Sequence, residues 1–273
     1  MTKQWTVRRI AVVAVAIMLC AGGLLATAGT GDTADKESTS IPATPSPGGK
    51  PLRVVALGDS VTAGAACGCA AFPELYGRLL SQRTGVQVTV ENRGVSGLDS
   101  EGLLKQLDEP QPAEAVKDAN VDLITIGAND FGDHHDAVVD AICSADCLTD
   151  ELDQLSGDLH RILERIRALR AGQPTTTLVT GYWNVFEDGE VARQSFSADG
   201  RAATVDLTRR VNSVIEAATL AEGATSVDLA GPFQREGADV TGLLAPDGDH
   251  PNEAGHELIA KVLLAAGLPT LKS

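Results

Sequence analysis

Leu52-Arg53-Val54-Val55-Ala56-Leu57-Gly58-Asp59-Ser60-Val61-Thr62-Ala63-Gly64 is the stretch that decides the fold. Its opening is short, apolar and rich in valine, the composition of a strand buried on both faces, and Gly58 ends the run. A turn must follow at once, so Ser60 is carried to the carboxyl end of a strand, where a helix begins. Serine has two uses at such a turn: capping the helix, or presenting its hydroxyl as a nucleophile at the edge of the sheet.

Downstream the same unit recurs. Phe72 to Thr84 carries Phe72, Leu75, Tyr76, Leu79 and Leu80 at helical spacing, and Val86 to Val90 reads as a second strand, broken by Gly94 and Gly97. Val121 to Ile126 and Thr175 to Thr180 are the third and fourth strands, separated by a helix from Leu152 to Leu169 with a continuous apolar stripe. A helix from Thr204 to Ala221, a fifth strand from Ala224 to Asp228 and a closing helix from Glu253 to Ala266 complete the series. Strand and helix alternating five times predict an α/β fold, with a central five-stranded parallel sheet covered by helices on both sides. In such sheets the loops at the carboxyl ends of the strands build the site.

The amino end is of another kind. Lys3, Arg8 and Arg9 precede the apolar run Ile10 to Leu25, and Ala26-Thr27-Ala28 offers a small-residue cleavage site, so residues 1–28 read as a secretory signal peptide. If the signal is left uncleaved, the alternative is a membrane-anchored form; after cleavage no stable membrane insertion is expected. Residues 29–51, rich in Thr, Pro, Ser and Gly, read as a disordered linker, and residues 52–273 as one domain with a single core. Losing Lys3, Arg8 and Arg9 takes the formal net charge from −15 to −18. Nucleic acid and anionic membrane surfaces, which call for basic patches, are therefore not the expected partners, and the chain is expected to be a monomer. Four cysteines remain beyond the signal, Cys67, Cys69, Cys143 and Cys147, an even number that predicts two disulfides in an exported chain while leaving their pairing open.

The chemistry-bearing residues sit at the strand ends. A serine nucleophile needs a base, and Asp247-Gly248-Asp249-His250-Pro251-Asn252 supplies His250 in a turn before the last helix. Asp247, three residues earlier, is spaced to reach the imidazole in a tight turn and to stabilise its cation; Asp249, the competitor, is an adjacent residue whose side chain tends to diverge. His160 and His256 fall within predicted helices, at polar or partly exposed positions, and the run Asp133-His134-His135-Asp136 reads as solvated. Donors for a developing oxyanion are offered by Asn92-Arg93-Gly94-Val95-Ser96-Gly97 after the second strand and Gly127-Ala128-Asn129-Asp130 after the third. The serine segment is not a G-x-S-x-G elbow, which disfavours the α/β-hydrolase arrangement.

Taken in order, Gly58-Asp59-Ser60, Asn92-x-Gly94-x-Ser96-Gly97, Gly127-x-Asn129-Asp130 and Asp247-x-x-His250 resemble the four blocks of the SGNH/GDSL hydrolase family, the GDSL-like lipases and acylhydrolases. The resemblance covers about Leu52 to Leu264, with Val61 standing where leucine is commoner. It implies a flavodoxin-like three-layer sandwich and Ser60 as nucleophile, with His250 and Asp247 completing a triad. It also implies an oxyanion hole from the Ser60 and Gly97 amides and the Asn129 side chain, acting on acyl esters with no cofactor or metal. Tyr182 and Trp183, in Gly181-Tyr182-Trp183-Asn184-Val185-Phe186 after the fourth strand, are candidates to line an acyl pocket or stack on a sugar. The expected activity is a secreted serine esterase or lipase. The alternatives are a carbohydrate O-deacetylase of the same family and a non-catalytic glycan-binding module using the same cleft.

Overall fold

The computed structural model describes residues 50–235 and 239–269. The expected signal peptide and most of the linker therefore lie outside the described residues. The opening strand is β1 (Leu52–Gly58), and after α1 (Ser60–Ala63) and α2 (Phe72–Thr84) the chain returns as β2 (Val88–Gly94). Two helices, α3 (Ser100–Gln106) and α4 (Pro110–Asp118), lead to β3 (Val121–Thr125). A 3-10 turn (Asn129–His134) then runs into α5 (His135–Val139), followed by α6 (Thr149–Arg170) and β4 (Thr176–Thr180). The remainder is α7 (Gly189–Ser195), α8 (Ala198–Ala221), β5 (Thr225–Val227), α9 (Ala230–Phe233) and α10 (Glu253–Ala266).

All strand pairs are parallel, in the order β2-β1-β3-β4-β5. Helices α2 and α10 pack together on one side of the sheet, while α6, flanked by α3, α4 and α8, covers the other, giving three layers. Central β1 and β3 are buried nearly throughout, the reason both are apolar without alternation. Strand order reverses between β1 and β3, and at such a switch point the helices leave on opposite sides and open a crevice beyond the strand ends.

One boundary differs from the expectation in a way that matters. The second strand runs through Gly94, so Asn92, Arg93 and Gly94 lie within β2 and not in the loop after it. Parallel pairing is the cause: Leu52 pairs with Val88 and the register continues to Gly58 with Gly94, so β2 extends as far as β1 does. Among the helices, α3, α4 and α7 are too short, at seven to nine residues, to repeat a readable stripe. His256 is a second correction, because it lies wholly inside, on the face of α10 that carries Ile259, Ala260 and Leu263 against α2. Each cysteine stands beside its neighbour in sequence, Cys67 with Cys69 (Cα–Cα 5.1 Å) and Cys143 with Cys147 (5.9 Å), separations a disulfide spans.

Candidate active site

Five segments meet at the carboxyl end of the sheet around a cleft of about 240 Å³. The end of β1 brings Asp59 and Ser60, the loop after β3 brings Ala128 and Asn129, and α5 brings His135. The segment after β4 contributes Tyr182 to Phe186, and the turn before α10 contributes Asp249. Gly97, His250 and Asp247 stand outside this lining.

The turn into α1 depends on Gly58. Its φ is 135°, and a Cβ there would sit 1.9 Å from the Thr125 carbonyl oxygen, so only glycine lets β1 pass this close to β3. Asp59 follows and caps α1, its Oδ1 accepting the Val61 N–H at 2.9 Å. The cap is thus the aspartate, and the Ser60 hydroxyl is free of that duty. Asp59 is 1% exposed, and its other oxygen accepts the Tyr182 hydroxyl hydrogen. Burial pushes the Asp59 carboxyl up to about 6, against the pull of the Tyr182 and Val61 hydrogen bonds.

His250 is held from two sides. Its Nδ1 lies 2.8 Å from Asp247 Oδ2 and 3.7 Å from Asp249 Oδ2, so Asp247 makes the hydrogen bond. Asp247 Oδ1 meanwhile accepts the Asp249 and His250 amides, both at 3.1 Å. Burial raises Asp247, but the His250 amide and ring and the Asp249 amide outweigh it, holding the carboxyl below its usual value. With Nδ1–H given to a carboxylate, the neutral ring keeps Nε2 as an acceptor, the tautomer a general base requires. Asn252 anchors the turn: it caps α10 through Gly255 N–H (3.1 Å) and donates to the carbonyls of Gly242 and Leu244 (3.0 Å each).

The donor loops are fixed by side chains of the same motifs. Asn129 Nδ2 gives one hydrogen to the Leu98 carbonyl at 2.9 Å, which orients the amide and leaves its second N–H. Gly97 has φ 80° with nothing within 4 Å of where a Cβ would stand, a backbone exposed to an incoming group. Asn92 ties β2 to α1, donating to the Thr62 carbonyl (2.8 Å) and accepting the Gly94 amide (3.0 Å). Asp130 accepts the Ser100 amide at 3.1 Å and the Ser100 hydroxyl, which also lies 3.0 Å from Asp158. Its carboxyl is pushed up to about 6 by burial.

Around the cleft, Tyr182 and Trp183 are both buried, Tyr182 spending its hydroxyl on Asp59 and Trp183 stacking on Phe233 at 4.4 Å. Two wall residues stand otherwise than the sequence reading had them, His135, read there as part of a solvated run, and Asp249, weighed there only as the competitor to Asp247. His135 bridges Asp136 (3.0 Å) and Glu187 (2.9 Å) with its ring edge-on to Phe186, and although burial pulls it down, the two carboxylates raise it overall. Asp249 is pushed up to about 6, chiefly by burial. The sequence signal for His135 is weak, since a histidine six residues past Asn129 has no periodicity to mark it. His134 pairs instead with Glu151 (2.9 Å) and His160 with Glu222 (2.8 Å).

Comparison with known proteins adds to this geometry. The model of the GDSL-like Lipase/Acylhydrolase family matches residues 56–258. The Spore germination lipase LipC of Bacillus licheniformis is 27% identical over 232 residues, covering 81% of this chain and 99% of that one. Among solved structures, the lipase Lip_vut3 from a goat rumen metagenome superposes with a TM-score of 0.65 at 21% identity, covering 81% of this chain and 100% of its own. An extracellular lipase from Streptomyces rimosus gives 0.60 at 20% identity, with 79% and 100% covered. At these identities the two structures share the fold.

Proposed function

Because this chain belongs to the GDSL-like lipase/acylhydrolase family and is a carboxylic ester hydrolase, we propose that it works through a Ser60–His250–Asp247 triad on short- or medium-chain acyl esters. His250 Nε2 takes the hydroxyl proton as Ser60 Oγ attacks the ester carbonyl, and the tetrahedral oxyanion is met by the Ser60 and Gly97 amides and the second N–H of Asn129. Collapse expels the alcohol, protonated by His250, and water attacks the acyl-serine by the same route in reverse. The observation that carries this reading is the 2.8 Å Asp247–His250 bond beside a cleft where Ser60 is not needed as a cap.

The cleft's size supports the substrate class. About 240 Å³ beside Tyr182, Trp183 and Phe186 is room for a small acyl group. Export is part of the same proposal, since the leader around Ile10 to Leu25 and the even set of later cysteines suit an extracellular enzyme with local disulfides. The purified protein and its Ser60→Ala variant, assayed on p-nitrophenyl esters from acetyl to long acyl chains, test this. Turnover greatest on short chains and lost in the variant is expected. A folded wild type that binds glycans without turning over any ester would replace the triad by the binding-module reading, and activity confined to acetylated sugars would make it a deacetylase.

A further inference from the structure

The connection between α1 and α2 lies off the cleft and is built under constraint. Gly64 (φ 76°), Ala66 (φ 58°) and Gly68 (φ 63°) all adopt the left-handed region, which Ala66 enters against the resistance of its own Cβ. Within this turn Cys67 and Cys69 stand half-exposed on either side of Gly68. Behind them is the wholly buried His256. Its Nδ1 accepts the Phe72 N–H at 3.2 Å, so in the neutral ring the hydrogen is on Nε2, and that buried Nε2 has no partner. A ring nitrogen and the two sulfurs all lie within 4.8 Å of one another.

We propose that Cys67 and Cys69 form a reversible thiol–disulfide exchange site for low-molecular-weight thiols, with His256 as the positioning residue that favours the opened form. An incoming thiolate attacks one Sγ, breaking the Sγ–Sγ bond, forming a mixed disulfide and releasing the other cysteine as a thiolate. A second thiol completes the reduction, leaving as the small-molecule disulfide while its proton and that of the first thiol remain on the two cysteines. In this proposal the opened form brings a thiolate, a strong acceptor where a disulfide sulfur is a poor one, to the His256 ring whose Nε2–H is without a partner. Ring closure over a single intervening residue, beside the left-handed Ala66, works in the same direction. Among the described residues Cys143 and Cys147 have no histidine grouped with them, which makes them an internal reference.

The test equilibrates the full-length protein in glutathione buffers of graded redox poise, traps free thiols with N-ethylmaleimide and quantifies the two cysteine peptides by mass spectrometry. Cys67 and Cys69 should be half-reduced at a [GSH]²/[GSSG] ratio at least about tenfold below that needed for Cys143 and Cys147. His256→Leu should raise the ratio for the first pair by about threefold or more, and His256→Gln, which keeps an N–H, should restore it, with the second pair unmoved in both. Simultaneous opening of the two pairs, earlier opening of Cys143–Cys147, or an unchanged midpoint in His256→Leu would overturn the proposal. If neither His256 variant folds, the wild-type comparison decides alone.

Discussion

Asn129 gives one amide hydrogen to the Leu98 carbonyl, and that bond fixes where the other points. A donor held in this way needs no reorganisation when charge develops on a carbonyl oxygen. Asn129→Ala should therefore lower kcat by about 10²-fold or more with little change in KM, read from steady-state kinetics on a short-chain ester. Tyr182 illustrates a different role. Its ring lines the cleft while its hydroxyl serves the buried Asp59 carboxyl, whose second oxygen would otherwise lack a partner. Tyr182→Phe should cost roughly 1–3 kcal/mol in denaturant unfolding, the penalty of leaving a buried polar group unsatisfied.

At the level of elements, the site depends on how closely β2 approaches α1. A Cβ on Gly94 would sit 2.4 Å from the Ala63 amide nitrogen, against backbone that cannot swing aside. Gly94→Ala should push β2 away from α1, destabilise the fold by about 1–3 kcal/mol and reduce kcat/KM together with it, measured by chemical unfolding and by ester turnover. Far from the cleft, Arg170 closes the end of α4: its guanidinium donates to the carbonyls of Val116 (3.0 Å), Lys117 (3.3 Å), Ala119 and Pro174 (2.9 Å) while itself almost wholly buried. Arg170→Leu leaves several of these oxygens without donors and should lose at least about 2 kcal/mol of stability, with KM unchanged because no cleft residue is touched.

Across the whole molecule, buried carboxyls set the response to pH. Burial raises Asp59, Asp130 and Asp249 to about 6 each, and Asp122, 0% exposed near the start of β3, to about 7. A carboxyl whose folded value lies above its unfolded one binds more protons in the folded state. Stability is therefore fullest below the unfolded value near 4 and declines as pH rises through 6 to 7. Asp239, Asp247, Glu101, Glu190 and Glu222 shift the other way, and their contribution is lost only as pH falls below about 4. Calorimetry should accordingly show Tm highest near pH 4 and falling toward pH 7, in step with the growing net negative charge. Asp122→Asn should flatten that slope between about pH 4 and 7 without altering the fold.

The alternation of apolar strands and striped helices settled the α/β class and the five parallel strands, because burial on both faces of a central sheet forces its strands to be apolar throughout. The order of Gly58-Asp59-Ser60, Gly97, Asn129 and Asp247-x-x-His250 was equally legible through its resemblance to the four family blocks, the first three after strands and the last in the turn before α10. Contacts between segments distant in sequence were not legible. Pairing with β1 carried β2 through Gly94, and packing between α10 and α2 buried His256, which a helical stripe alone had assigned to a partly exposed position. Asp59 was seen as a motif letter, but its service as cap and as acceptor for a tyrosine 123 residues away exists only once β1 and β4, with β3 between them, end at the same edge of the sheet. Local patterning records which side chains must leave water; which of them then meet is decided by the geometry of the assembled sheet.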